Sequence, residues 1–152
     1  VVIQRVSSAW VAVQGRRVAE IGPGLLVLAG IGIEDTPAVA DRLAARLAEL
    51  RIFEDSSGKM NRSALDTGAE VLCVSQFTLY GDVRRGRRPS FDRAAPGPVA
   101  RPLFDRLCDS IAKAGLRCAR GVFGAEMEVG LVNDGPVTLM IDSEELDRSR
   151  RA

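Results

Sequence analysis

Apolar and β-branched residues dominate Val1–Ser7 and predict a strand. In Ala9–Val13, Val11 and Val13 alternate with Trp10 and Ala12, and a turn near Gln14-Gly15 leads into Val18–Ile21; together these predict a hairpin. After the turn Gly22-Pro23-Gly24, the run Leu25–Ile31 is apolar, the pattern of a central strand covered on both faces. Thr36-Pro37 supplies an N-cap and a proline at the first helical position. The helix that follows carries Val39, Leu43, Leu47 and Leu50 as its apolar stripe, with Arg42, Arg46 and Glu49 elsewhere. Arg51–Glu54 reads as a short strand before the turn Asp55–Gly58, and Val71–Ser75 as a buried strand leaving through Gln76-Phe77-Thr78. Residues 81–98 hold three glycines, three prolines and no periodicity, so they form a long loop. A second helix covers Val99–Ala114, with Leu103, Leu107 and Ile111 on one face, widened by Phe104 and Cys108. Pro102 is placed in its first turn, where amide hydrogens lack partners anyway. Leu116–Arg120, Met127–Val132 and Val137–Ile141 complete the strands, with Asn133–Pro136 as the turn between the last two.

The order is strands, helix, strands, helix, strands, without internal repeat or boundary. That order predicts an α/β fold: a layered β/β/α sandwich with barrel-like mixed sheets and two main helices on one face. One domain is expected over residues 1–142. Residues 143–152 are expected to be a peripheral tail, since Asp142–Ala152 holds four acidic and three basic residues and one large apolar residue, Leu146.

Composition changes the picture at one point above all. The chain has 152 residues and no histidine. That excludes a Ser-His-Asp or Cys-His nucleophile, an imidazole base and any His-containing zinc site. Cys73, Cys108 and Cys118 form no C-x-x-C pair, which fits a reducing compartment and argues against a disulfide framework or structural zinc. Cys73 and Cys108 lie in apolar patterns and read as core residues. No apolar run is long enough for a bilayer and no signal-peptide pattern opens the chain, so the expected location is the cytoplasm. Charges nearly cancel, with 21 Lys+Arg against 20 Asp+Glu. Within 82–93, however, Arg84, Arg85, Arg87, Arg88 and Arg93 outweigh Asp82 and Asp92. Such a cluster is usually a solvated loop; in function it suits one phosphate-bearing end of a nucleic acid.

Three segments invite chemistry. Ser75–Tyr80 leaves a buried strand, where amides and hydroxyls are held firmly yet reach solvent. A hydroxyl there is more often a partner for local backbone. Asn133–Thr138 shows no more than turn chemistry by its spacing. In Gly121–Met127 and its continuation, Glu126 and Glu128 share a strand face, a pattern more typical of a solvated edge than of metal binding or acid–base work. Arg5, central in the first strand, either snorkels outward or clamps a backbone carbonyl.

Taken together, Ser75–Tyr80, Asn133–Thr138 and Gly121–Met127 resemble the bacterial D-aminoacyl-tRNA deacylases. Ile3–Val6, Gly22–Leu28, Arg51–Phe53, Gly58–Asn61 and Arg88–Phe91 match in the same order, so the likeness runs from Val1 to about Asp142. The resemblance implies a homodimer that hydrolyses the ester between a D-amino acid and tRNA, and also glycyl-tRNA mischarged on the alanine adaptor. It implies catalytic positions at Gln76, Phe77 and Thr78, and substrate-side positions at Ser75, Met127, Gly135, Pro136 and Arg5. It further implies a cis Gly135-Pro136 pair, held by Arg5, that reaches the partner's pocket and excludes L-amino acids with its carbonyls. No cofactor, metal or membrane is expected; the partner is the acceptor end of tRNA.

The residues also bear on mechanism. A threonine hydroxyl such as that of Thr78 is a weak nucleophile unless a base takes its proton, and Lys59 serves only if the fold brings it close. Backbone amides around Gln76–Thr78 can instead form an oxyanion hole, with the substrate's ribose 2′-hydroxyl assisting water. A non-catalytic module that binds the tRNA end, or a threonine hydrolase of another small ester, are the competing readings.

Overall fold

The two longest strands come from opposite ends of the chain and pair with each other. The computed structural model describes residues 1–148. β1 (Val2–Val13) runs antiparallel to β8 (Glu128–Met140) along one edge. Its other edge is shared by β3 (Gly24–Ala29), which pairs with Val2–Val6, and β2 (Arg16–Ile21), which pairs with Ala9–Val13. β6 (Glu70–Ser75) then adds parallel to β3, and β7 (Cys118–Arg120) parallel to β6. The order β2-β1-β3-β6-β7 curls until β2 comes near β6 and β7, which gives the sheet its barrel character. A register shift between Val11 and Ala12 helps bend β1, and there the expected in–out alternation fails, since both residues are buried. The two β layers of the expected sandwich are thus halves of one curled sheet. A separate ribbon pairs β4 (Phe53–Glu54) with β5 (Met60–Arg62).

Curling buries both faces, which explains the apolar run in β3. Leu26 points into the curl with Val6, Val11, Leu72 and Val74. Leu25, Val27 and Ala29 point to the other face, against the helices. Each fully buried branched side chain contributes about 1.5–3 kcal/mol, so this strand anchors two cores at once.

The helices α1 (Pro37–Glu49) and α3 (Gly97–Lys113) cover that second face, joined by a short α2 (Ala64–Thr67). Thr36 caps α1 as its sequence suggests, its hydroxyl accepting from the Val39 amide. The buried face of α1 is Ala40, Ala44, Leu47 and Ala48, one step round from the Leu-rich stripe. Small residues let α1 approach α3 closely, while Val39, Leu43 and Leu50 end up half-buried. Asp41 completes the join: it accepts from Arg106 Nε at 2.8 Å, Arg106 Nη2 at 2.7 Å and Ser110 Oγ at 2.6 Å. In α3 the expected face is buried, but the helix starts two residues earlier. Pro102 therefore sits inside the helix and offers no N–H to the carbonyl four residues back. α2 is one turn long, too short to show a hydrophobic period, and its sequence signal is the capping box of Ser63 and Asp66.

The largest departure concerns the end of the chain. Asn133–Pro136 is not a hairpin turn between two strands, because β8 is continuous along β1. Gln4 pairs with Thr138 and Val6 with Asn133, so the residues between swell out of the ladder as an excursion. Turn-forming residues serve a bulge as well as a hairpin, since both need the same backbone freedom. Beyond β8, Ser143–Glu145 forms a single 3-10 turn. Exposed ion pairs Arg42–Asp147 (2.9 Å) and Arg93–Glu144 (2.8 Å) attach it to the surface. Residues 149–152 of the expected tail lie outside the described residues.

Candidate active site

β3 and β6 are parallel, and both chains leave the sheet at the same edge. Open parallel sheets place ligands there, because the strand ends are rigid while the connections diverge. A cleft of about 590 Å³ opens at this edge. Ser75, Gln76 and Phe77 form one wall, Phe91, Ala94, Ala95 and the start of α3 another, and Phe123, Gly124, Ala125 and Met127 a third. Phe77, 55% exposed, packs edge-on against Phe91 with ring centroids 5.1 Å apart.

The exit of β6 sets the polar groups. The Gln76 amide donates to the Ala29 carbonyl at 2.8 Å, tying the exit to β3. The chain then enters a 3-10 turn, Phe77–Tyr80. Its leading amides, on Phe77 and Thr78, have no hydrogen-bond acceptor among the described residues. The Gln76 side-chain amide donates to the Thr78 hydroxyl, which stands exposed at the rim of the cleft. Of the backbone amides around Gln76–Thr78, that of Gln76 is therefore engaged, while those of Phe77 and Thr78 remain.

No titratable side chain lines this cleft among the described residues. Lys59 sits in the turn between β4 and β5 and is not part of the lining. The structure thus brings Ser75, Gln76, Phe77 and Met127 together on one cleft, with Thr78 at its edge. Phe91 and Phe123 join them. A cue for such a space was the small-residue stretch Ala94-Ala95-Pro96-Gly97, which leaves room beside the aromatic rings.

Arg5, Gly135 and Pro136 lie apart, at the β8 excursion, and do not line the cleft. Arg5 is 6% exposed and clamps backbone carbonyls instead of snorkelling. Its Nη1 donates to Ile52 O at 2.7 Å and its Nε to Asp134 O at 3.2 Å, with the Asp134 carboxylate 3.4 Å away. Asn133 Nδ2 donates to Arg5 O and to Val137 O, both at 3.0 Å. Gly135 has φ +127° and its bond to Pro136 is cis. A Cβ at Gly135 would stand 2.9 Å from Val137 Cγ2 and 3.0 Å from Arg5 Nη2, so the position is both conformationally and sterically glycine's.

The model of the D-Tyr-tRNA(Tyr) deacylase family matches residues 2–142. The chain belongs to that family. It is 58% identical over 143 residues to the D-aminoacyl-tRNA deacylase of Symbiobacterium thermophilum, covering 94% of this chain and 95% of that protein. It is 56% identical over 146 residues to that of Thermomicrobium roseum, covering 96% and 95%. Among solved structures, it is similar to the c-Myc DNA Unwinding Element Binding Protein, with TM-score 0.86, 40% identity and coverage of 93% and 96%. A probable eukaryotic D-amino acid tRNA deacylase shares the fold at TM-score 0.77, 20% identity and coverage of 92% and 96%. Family membership places the chain among hydrolases of the aminoacyl-tRNA ester.

The basic loop of this family member is less free than its composition suggests. Asp82 and Ser90 exchange backbone hydrogen bonds at 2.8 and 2.9 Å, closing the loop at its base. Arg84 is paired with Asp82 and Arg93 with Glu144, and the guanidinium beside Asp82 lowers that carboxyl to about 2. Arg85, Arg87 and Arg88 have no ion-pair partner among the described residues. Among the described residues no helix is long and apolar enough to cross a membrane.

Proposed function

We propose that this protein removes D-amino acids from tRNA in the cytoplasm, and glycine mischarged on the alanine adaptor, working as a homodimer. The observation that carries the chemistry is a cleft with no titratable side chain in its lining among the described residues, beside which the amides of Phe77 and Thr78 are unengaged. With neither base nor acid at hand, those amides stabilise the developing oxyanion, each contributing about 3 kcal/mol. The ribose 2′-hydroxyl of the terminal adenosine assists the attacking water. Thr78, bonded to Gln76, positions the substrate and does not attack it.

The excursion in β8 supplies chirality to the other subunit. Gly135 and Pro136 are exposed and do not line their own cleft, and they sit on a strand whose outer residues Val132, Leu139 and Met140 are exposed and apolar. Such an edge suits pairing with a second copy. Once there, the carbonyls of the Gly135-Pro136 pair wall off one side of the α-carbon. An L-side chain clashes, a D-side chain points away, and glycine has nothing to clash.

Deacylation of D-tyrosyl-, L-tyrosyl- and glycyl-tRNA by the purified protein tests the reading. Rapid loss of the D-tyrosyl and glycyl esters is expected, with the L-ester spared. A terminal 2′-deoxyadenosine should abolish most of the rate. Tight binding without turnover would favour a tRNA-end-binding module, and full activity on the 2′-deoxy substrate would remove the ribose from the mechanism.

A further inference from the structure

The three cysteines, dispersed along the chain, meet behind the cleft. Cys73 and Cys118 stand on the neighbouring parallel strands β6 and β7, where Val71 pairs with Cys118 and Cys73 with Arg120. That offset of two residues keeps both on the sheet face that α3 covers, and α3 brings Cys108. All three Sγ atoms lie within 4.8 Å of one another, with Cys73 and Cys118 sulfurs 3.8 Å apart. Cys73 and Cys108 are buried, while Cys118 is half-buried and opens the group to solvent.

An ion about 2.3 Å from each of three sulfurs in one plane holds those sulfurs about 4.0 Å apart. The Cys73–Cys118 side, 3.8 Å, is close to that length before any side chain moves, and no side exceeds 4.8 Å. Ligand type then narrows the ion. Thiolates select soft cations. Structural zinc takes four ligands, yet no carboxylate joins the cluster among the described residues, and the chain has no histidine. We propose that Cys73, Cys108 and Cys118 form a trigonal three-sulfur site for a soft monovalent d10 cation, of the cuprous kind.

Binding exchanges thiol protons, released to solvent, for the cation, with no change of oxidation state. The site would tie together three elements that end at the walls of the cleft or lead into them. β6 ends at Ser75, α3 begins at the cleft with Gly97, and β7 leads into Gly121–Met127. The Gly121 amide donates to the Cys73 carbonyl itself at 2.9 Å.

The test is a titration of the reduced, oxygen-free protein with cuprous ion against a chromogenic chelator. One ion per chain is expected, with three sulfur neighbours at about 2.3 Å by X-ray absorption. Cys118→Ala and Cys108→Ala should each lower affinity more than about a hundredfold, since even outer-shell partners of a metal are worth ten- to a hundredfold. Circular dichroism monitors folding, and Cys118→Val refills the volume if Cys118→Ala is unstable. Failure to hold the ion against the chelator would overturn the proposal. So would undiminished affinity in folded Cys118 variants, or a fourth nitrogen or oxygen neighbour with preference for zinc.

Discussion

At the exit of β6, the cleft relies among the described residues on one side-chain hydrogen bond, from Gln76 to Thr78, and otherwise on backbone groups and apolar walls. At the β8 excursion, Arg5 and Asn133 hold four backbone carbonyls between them, those of Ile52, Asp134, Arg5 and Val137. One region is built to leave amides unengaged, the other to leave almost nothing unengaged. The contrast suits a division of labour. A reacting ester needs donors that are positioned but free, while a wall that rejects one enantiomer must not yield. Side chains therefore matter most where no chemistry is proposed.

The comparison breaks most visibly at Arg5. Arg5→Ala removes two charge-assisted hydrogen bonds, worth about 1.5–3 kcal/mol each, and takes the donor from the buried Ile52 carbonyl. Urea unfolding should show a loss of several kcal/mol, and Arg5→Lys should recover little, because an ammonium lacks the guanidinium fork. Gly135→Ala comes next: it strains a φ of +127° and crowds Val137, costing about 1–2 kcal/mol. Its sharper readout is deacylation of L-tyrosyl-tRNA, which should rise from background; unchanged rejection would remove the excursion from chiral selection. Replacing Arg85, Arg87 and Arg88 by Gln should weaken tRNA binding and reduce its salt slope by about 2–3, whereas Arg84→Gln alone, already paired with Asp82, should change it less.

On the cleft side, Thr78→Ala should keep the deacylation rate within about tenfold, against the roughly 10⁶-fold loss that follows removal of a true nucleophile. A collapse of rate with intact binding would return Thr78 to the chemistry. The smallest expected effect lies away from both regions. Hydrogen bonds from Arg106, and then Ser110, hold the Asp41 carboxyl well below the usual carboxylate range. The group is more acidic folded than unfolded, so its stabilisation is full above the unfolded value near 4 and is lost as pH falls. Asp41→Asn should thus melt slightly lower than wild type at neutral pH and converge with it in acid; a gap that persists in acid would assign the loss to packing.

Much of the framework is legible in short stretches of chain. The Leu25–Ala29 run, the Thr36-Pro37 cap and the Leu103–Ile111 face all follow from local period and capping chemistry. The errors arise where a partner decides. Leu43 loses its expected central place on α1 because alanines give closer approach to α3. Asn133–Pro136 reads as a hairpin until β1 is seen to pair on both sides of it. For the proposed site, Ser75–Thr78 and Met127 are singled out by family likeness, while spacing alone marks them as a strand end and an edge.

The sequence by itself determined which chemistry is absent. Without histidine no imidazole can serve, and no arrangement of the chain changes that. It also determined the buried strands and helix faces, because those depend on neighbours within a few residues. Tertiary structure alone decided that no titratable side chain lines the cleft among the described residues, that Gln76 spends its backbone amide on Ala29, and that three scattered cysteines share one triangle. Each depends on sheet register and helix packing between distant segments, which periodicity along a chain does not encode.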